Sequence, residues 1–489
     1  MVATRSARKR GRSPKPRSNA GFDRLMGKIA GGAAAKKKSP KKSRSPARAK
    51  SNGGGRKPAP APAAAPAHEG YEFGGPIGAV ATMVMLPVVV YALYFLCDAD
   101  YCLDTANWAD APARLSAATF AAAWSWDALW AVLAWLGFQL ALAALLPGET
   151  VEGVVLRDGS RLKYTLNGHL AFWISLLAVL HGWPAFDAET GAFAGFGPAP
   201  LGWCYDHYVQ LASAAVAVSG ALSLFVYAYS FRPSKPLLAA GGQTGCPPYD
   251  FFIGRELNPR VFGFDLKFLC ELRPGLIGWA VLNLAMLHHN PTSLPLAMVV
   301  AFQGLYVWDA LFQERAILTT MDITTDGFGF MLAFGDLAWV PFTYSLQARY
   351  LAVRDPALGG IALCAICALN FVGYAVFRGA NSQKDAFRRD PGAFPRGAWM
   401  DTARGRKLLV TGWWGLARKI NYSGDWLMGL AWCLCTGFDH VIPYFYAIYF
   451  AVLLIHRARR DELACRAKYG ADWARYKRKV PSVFIPGVL

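Results

Sequence analysis

Charge is scarce in this chain. Asp, Glu, Lys and Arg make up 17% of its 489 residues, while 54% are hydrophobic. Soluble globular proteins carry about 25% charged residues, so a water-facing surface over the whole length is excluded. Nucleotide-fold signatures are missing too. No Gly-x-Gly-x-x-Gly lies between a strand and a helix, and no Gly-x4-Gly-Lys-Ser/Thr occurs, which leaves no sign of the soluble nucleotide folds. Gly327–Gly335 bears glycines but sits in an apolar run, where small residues read as close helix packing. The ten cysteines lack a paired spacing. Cys364 and Cys367 have redox or zinc spacing, but they fall mid-membrane with no second pair and read as packing residues. Cys97 and Cys102 flank the first acidic loop, and a disulfide between them stays open. No apolar core of a secretory signal peptide is present in residues 1–70.

What the chain has in abundance is long apolar stretches. They recur from Gly78 onward, at lengths of about 18 residues or more that suit a bilayer. Lipid offers no partner to free backbone groups, so such stretches are helical. The expected spans are about 78–97, 120–147, 168–186, 206–231, 268–288, 295–313, 328–352 and 359–378, with a closing pair at 426–438 and 441–456. The expected fold is therefore an all-α polytopic membrane protein of about ten transmembrane helices. Acidic loops after the first and third spans belong outside the cytoplasm. The basic segments around Arg232, Arg255 and 384–419 belong inside, with Arg349 and Arg354 as minor exceptions in an outer loop. An even count puts both termini in the cytoplasm.

The basic charge is concentrated at one end. Residues 1–70 hold 19 Lys or Arg against Asp23 and Glu69, whereas the remaining 419 residues hold 32 and 30 acids. A segment so charged and so poor in apolar residues is expected to be a disordered tail, with its Pro-Ala run as a spacer. Residues 71–489 form the second, transmembrane unit. The tail suits anionic lipid or nucleic acid and chromatin, and phosphorylation at Ser13, Ser39, Ser43 or Ser45 would weaken either attraction.

Polar residues of the C-terminal half carry the candidate chemistry. Lys384 and Arg388 are i,i+4 and share a helical face. They suit a phosphorylated ligand, and equally a positive-inside anchor. Gly412–Trp426 combines Trp413 and Trp414 with Arg418, Asn421, Tyr422 and Asp425. Aromatic faces and an amide suit flat rings, although an interfacial aromatic belt uses similar residues. His456–Gly470 presents Arg457, Asp461 and Cys465 at i,i+4 spacing, followed by Lys468 and Tyr469. The bland account is a solvated face with helical ion pairs. Glu271, Arg273, Asp309 and Asp336 lie in or beside spans, and Tyr306 is one turn from Asp309. Intramembrane ionisable groups point to function or to buried pairing. Together these residues describe a phosphate and ring pocket bordering helices with buried acids. A nucleotide-using enzyme with a lipid-phase substrate fits it, and so does a transporter.

The stretches Leu145–Gly168, Phe251–Trp279, Thr319–Leu351, Gly379–Arg388, Leu408–Trp426 and His456–Ser482 resemble the sterol reductase family, from about Gly75 to Leu489. Within it, Asp326–Leu351 is similar to the delta-14 sterol reductases and the reductase domain of lamin B receptor, rather than to the 7-dehydrocholesterol reductases. The resemblance implies NADPH-dependent reduction of the carbon 14–15 double bond of a sterol drawn from the bilayer, in the endoplasmic reticulum membrane. A delta-7 reductase and a nuclear-envelope scaffold at the inner nuclear membrane are the alternatives. It implies an NADPH pocket within about 380–470 built from Lys384, Arg388, Trp414, Asn421, Tyr422, Arg457, Asp461, Lys468 and Tyr469. It also implies Tyr306 and Asp461 as the proton-relay pair, with Asp309 and Asp336 in reserve. Two positions depart from the family pattern: Lys419-Ile420 replaces a His before Asn-Tyr, and Thr325 replaces a His before Asp-Gly-Phe-Gly. The tail resembles the Arg-Ser region of lamin B receptor. Sequence does not set the oligomeric state.

Overall fold

The computed structural model describes residues 71–488 apart from 105–106, 117–119, 187–192 and 235. The expected disordered tail, residues 1–70, lies outside the described residues. What is described is overwhelmingly helical. The principal helices are α1 (Gly75–Phe95), α2 (Trp126–Leu145), α3 (Gly168–His181), α4 (Tyr208–Tyr229), α5 (Leu266–Leu272), α6 (Pro274–His289), α7 (Leu294–Phe312), α8 (Gly360–Arg389), α9 (Ile420–Leu434) and α10 (Phe445–Tyr469). Strands among the described residues form four separate antiparallel hairpins, at 149–166, 183–197, 260–265 and 399–409.

Six helical segments are long and apolar enough to cross a membrane: α1, α2, α4, the α5–α6 run, α7 and α8. The chain is thus a membrane protein. α3 is apolar but has 14 residues, short of the roughly 20 a bilayer needs. It was expected to reach 186 and stops at His181, because Pro184 lies two residues past its Gly182 cap and proline cannot continue a helix. The fifth expected span breaks at Arg273, and Pro274 opens α6 as a first-turn residue.

The expected span at 328–352 is not one regular helix. It runs as α-helix Phe330–Phe334, π-helix Gly335–Trp339, then α-helices Val340–Tyr344 and Leu346–Val353. A π turn inserts one residue into the helical register, and apolar periodicity does not signal it. α8 runs the other way, 11 residues past the expected end at 378, to Arg389. Its polar extension is rich in Ala, Gln, Lys and Arg, all good helix formers, and Asp390-Pro391 stops it. α10 likewise carries the charged run at 456–469 as a continuous helix that ends on Gly470 at φ +53°.

Two points that the sequence leaves open close in the fold. Cys97 and Cys102 form a disulfide. Arg349 and Arg354 are not free loop charges. Arg349 donates to the carbonyls of Leu93 (2.7 Å) and Cys97 (2.6 Å), and Arg354 to that of Asp98 (3.1 Å). Both are spent on the C-terminal end of α1, whose last carbonyls have no helical partner.

Candidate active site

The site begins at a crossing of two helices. α8 and α9 meet at Gly373 and Gly424. A Cβ on Gly424 would lie 2.5 Å from the Phe377 nitrogen, and one on Gly373 would lie 2.8 Å from the Gly424 carbonyl oxygen. Only hydrogen side chains allow backbones this close. The approach sets Asn421, Tyr422 and Asp425 of α9 against Phe377, Arg378 and Asn381 of α8. The Asn421 amide donates to Asn381 Oδ1 at 3.3 Å, and its own Oδ1 is buried with no hydrogen-bond partner.

One turn further along α8, Lys384 Nζ stands 4.3 Å from the centre of the Trp414 ring. Trp414 is buried and donates its indole N–H to the Ala380 carbonyl at 2.8 Å. Trp413 is fixed by its backbone N–H, which donates to Gln383 Oε1 at 3.0 Å. Lys384 makes no ion pair among the described residues, and Arg388 is exposed beyond it. Its charge rests on the aromatic face, with Asp461 as a carboxylate that acts on it from a distance.

α10 forms the other wall, and four of its charges, Arg457, Arg460, Asp461 and Glu462, are paired. Arg457 bonds Asp322 at 2.8 Å, and Arg460 bonds Asp326 at 3.1 Å and Glu72 at 2.8 Å. Asp461 takes the ammonium of Lys419, whose Nζ also lies 5.5 Å from the Tyr422 ring centre. Lys419 is one of the two residues that depart from the family pattern, so that departure supplies the partner of Asp461. Burial, then the Asp461 charge, push the Cys465 thiol up to about 11, which leaves it unreactive at neutral pH. Lys468 and Tyr469 close the wall, the ammonium 5.3 Å from its neighbour's ring.

Behind this wall is an aromatic interior. Tyr306 of α7 lies between Trp432 (5.4 Å between ring centres), Trp279 (6.1 Å) and Phe377 (6.3 Å). Its hydroxyl interacts with the carboxyl of Asp425, and Arg378 and Arg457 are the cations nearest to it. Asp425 is buried, and its Oδ1 takes no hydrogen bond. Asp309, one turn from Tyr306, is committed to Arg378 and to the Tyr374 hydroxyl at 3.1 Å.

The structure therefore brings together Lys384 of α8, Trp414 of the short helix Trp413–Leu416, and Asn421 and Tyr422 of α9, and lines up Arg457, Asp461, Lys468 and Tyr469 on α10. It does not join Tyr306 to Asp461: Tyr306 meets Asp425, and Asp461 meets Lys419. Asp425 was visible in sequence only as part of a polar-aromatic run, and the sole hint was a carboxylate one residue before an apolar helix face. A cavity of about 870 Å³ lies apart from all of these residues, on another face of α6 between Trp130, Trp135, Phe138, Leu282 and Phe342.

A model of the ergosterol biosynthesis ERG4/ERG24 family matches residues 67–489. A chicken (Gallus gallus) protein named Delta(14)-sterol reductase LBR is 48% identical over 425 residues, which is 85% of this chain and 63% of that protein's length. Mouse (Mus musculus) Delta(14)-sterol reductase TM7SF2 is 45% identical over 430 residues, 85% of this chain and 97% of its own. The Delta(14)-sterol reductase of Ascobolus immersus is 44% identical over 434 residues, 86% and 99% of the two chains. The same blocks that build the α8–α9 crossing and the α10 wall lie inside the matched region, and the chain belongs to the ergosterol biosynthesis ERG4/ERG24 family.

Proposed function

We propose that this protein is an NADPH-dependent delta-14 sterol reductase of the endoplasmic reticulum membrane. In this reading it has about ten spans, both termini in the cytoplasm, and a transmembrane reductase unit from residue 71 onward behind a basic addressing tail. Its relatives carry that activity in their names. The observation that carries the reading is the buried Tyr306–Asp425 pair: Asp425 is on α9, which packs on α8, and α8 carries a lysine with no ion pair on a tryptophan face.

The residues present suit the cofactor. Lys384 has no anion of its own, and Arg388 is exposed a turn away, so the two would take phosphate, as bidentate and point-charge donors do. Trp414 and Tyr422 would hold ring systems, and the orphaned Asn421 Oδ1 would accept from an amide or amino edge. Arg457, Lys468 and Tyr469 would line the remaining length. When bound, NADPH supplies the hydride.

An isolated alkene accepts no hydride until it is protonated. Protonation at carbon 15 leaves a tertiary cation at carbon 14, so the protein must deliver a proton in a dry place. Tyr306 is in the apolar interior and holds the hydroxyl. Arg378 and Arg457, although ion-paired with Asp309 and Asp322, are the cations nearest to it and would stabilise the phenolate left behind, and Asp425 would orient the hydroxyl. Asp461, held by Lys419, is the outer member of the relay.

Supplying purified protein and NADPH with a delta-14 and a delta-7 sterol in parallel tests the reading. The delta-14 sterol is expected to be saturated and the delta-7 sterol left intact. In the same assay Lys384→Ala is expected to raise the NADPH KM at least tenfold, the cost of about one charge-assisted contact. Saturation of the delta-7 bond alone, or no turnover of either sterol, overturns the assignment.

A further inference from the structure

Of Glu271, Arg273, Asp309 and Asp336, which the sequence places in or beside the spans, the fold gives partners to two. Arg273 bonds Glu314 at 3.1 Å, and Asp309 bonds Arg378. Glu271 and Asp336 are left over. Glu271 Oε2 and Asp336 Oδ2 are buried with no hydrogen-bond partner among the described residues, and the two carboxyls are electrostatic neighbours.

The local structure explains why they meet. Glu271 is on the last turn of α5, just before the break at Arg273. Asp336 is on the π turn Gly335–Trp339. Gly275 fits the two segments together, since a Cβ there would lie 1.8 Å from the Asp336 carbonyl oxygen. π turns re-aim a side chain that a regular helix would place elsewhere, and they recur at functional sites.

The cations that face them are spent elsewhere. Lys267 donates its ammonium to the backbone carbonyls of Asp322, Ile323 (3.3 Å) and Asp326 (2.7 Å). Arg457 gives its guanidinium to the Asp322 carboxylate at 2.8 Å. Lys267, Asp322 and Arg457 complete the set of charged groups around Glu271 and Asp336. Two unpaired negative charges side by side and out of water are costly, and a proton held between them removes the cost.

We infer that Glu271 and Asp336 share one proton and resupply it to the Tyr306–Asp425 acid after each turnover. This rests on the reductase reading. The groups between the two pairs form a succession. Trp339 follows Asp336 by one turn and packs 5.1 Å, ring to ring, on Tyr449; its indole has no acceptor and its Nε1 no hydrogen-bond partner among the described residues, so it shields the route, and the proton passes from Asp336 to the Tyr449 hydroxyl by water. Tyr449 and Tyr344 interact through their hydroxyls, and Tyr344 neighbours both Tyr306 and Asp425. The balance is simple. Tyr306 loses one proton to carbon 15, the carboxyl pair returns one to the phenolate, and one from water recharges the pair past Asp322. Each reduced double bond takes up one proton from the aqueous side.

The test uses Glu271→Gln and Asp336→Asn in the full-length protein, both near-isosteric, with melting temperature as the check on folding. Each is expected to lower kcat about tenfold, at the low end of general-acid effects, with the NADPH KM unchanged and the solvent deuterium isotope effect on kcat increased. A purely structural role would not move the isotope effect. Infrared spectra of the resting wild-type protein are expected to show a protonated-carboxyl stretch that shifts in D2O and is lost in the double variant. Wild-type kcat and isotope effect in both single variants, or no such stretch in the wild type, overturns the inference. The infrared readout needs no sterol, so it decides the shared proton even if the reductase reading fails, and absence of reductase activity in a wild type that shows the stretch counts against that reading instead. If Asp336→Asn does not fold, Glu271→Gln and the wild-type spectrum decide.

Discussion

At the scale of single residues, the question is which carboxylate serves Tyr306. Asp461 is half exposed and paired with Lys419, whereas Asp425 is buried beside the Tyr306 hydroxyl. Asp425→Asn is therefore expected to lower kcat by about 100-fold, within the range for a positioned acid or its orienting partner, with little change in NADPH KM. Asp461→Asn is expected to raise the NADPH KM more than it lowers kcat, since it frees Lys419 and disturbs the cofactor wall. Equal effects of the two substitutions on kcat alone would undo this division. The wall was legible in sequence because Lys384, Trp414, Asn421 and Tyr422 are polar or aromatic residues in short runs that a plain membrane anchor does not need. Asp425 was not legible as a partner of Tyr306, because 119 residues separate them in the chain. The packing of α9 against both α7 and α8 brings them together.

At the scale of elements, breaks matter more than helices. Apolar length was enough to find α1, α4 and α7 within a few residues, since lipid enforces that length, while α2 begins at Trp126, six residues after its expected start at 120. It could not reveal the π turn or the break at Arg273, because both preserve the apolar run while changing where side chains point. The break is held by a buried ion pair. Glu314 accepts from Arg273 through Oε1 and from the Gly168 backbone N–H through Oε2 at 2.9 Å, which ties α3 to the α5–α6 junction. Arg273→Ala would strand a buried carboxylate, at a cost of about 3–5 kcal/mol. It is expected to lower the melting temperature sharply, and Glu314→Leu in the same chain is expected to recover much of the loss. No recovery in the double variant would show that the pair is not what holds the junction. A second clasp lies outside the spans. Burial raises the Glu462 carboxyl, but the hydrogen bond from Lys477 at 2.7 Å and its charge outweigh it and hold the group below its ordinary range. A depressed carboxyl stabilises above its unfolded pKa and loses that contribution as pH falls through the folded value. Protease release of the helix Ala471–Lys479 is accordingly expected to accelerate on acidification, and Glu462→Gln is expected to show the fast release already at neutral pH.

At the scale of the whole molecule, charge and apolarity are segregated. The 19 basic residues of 1–70 sit apart from a body in which acids and bases nearly cancel. The family match begins at residue 67, so the reductase reading needs nothing from most of the tail. Removal of residues 1–70 is expected to leave kcat unchanged while abolishing salt-sensitive binding to anionic vesicles or to duplex DNA. A fall in kcat would mean that the tail takes part in the reaction. The difference in charge between residues 1–70 and the rest was plain from composition. How the body is pinned on the side of the disulfide was not, because Arg349 and Arg354 read as loop charges until the fold showed them capping α1.

α8 has 30 residues without a break. At 1.5 Å per residue that is about 45 Å of rod, against a hydrocarbon layer of about 30 Å. The surplus is the polar end that carries Lys384. A rod that begins in the bilayer and ends in the cofactor wall works as a ruler: the height of Lys384 above the lipid is fixed by counting residues, and it does not depend on any loop. Bilayer thickness then becomes a variable of the enzyme. In a thicker membrane the same rod is drawn inward or stands more upright, and Lys384, proposed above to take phosphate, moves with it. The same protein in short-chain and long-chain lipids should consequently differ in apparent NADPH affinity, with no change in any residue that touches the cofactor.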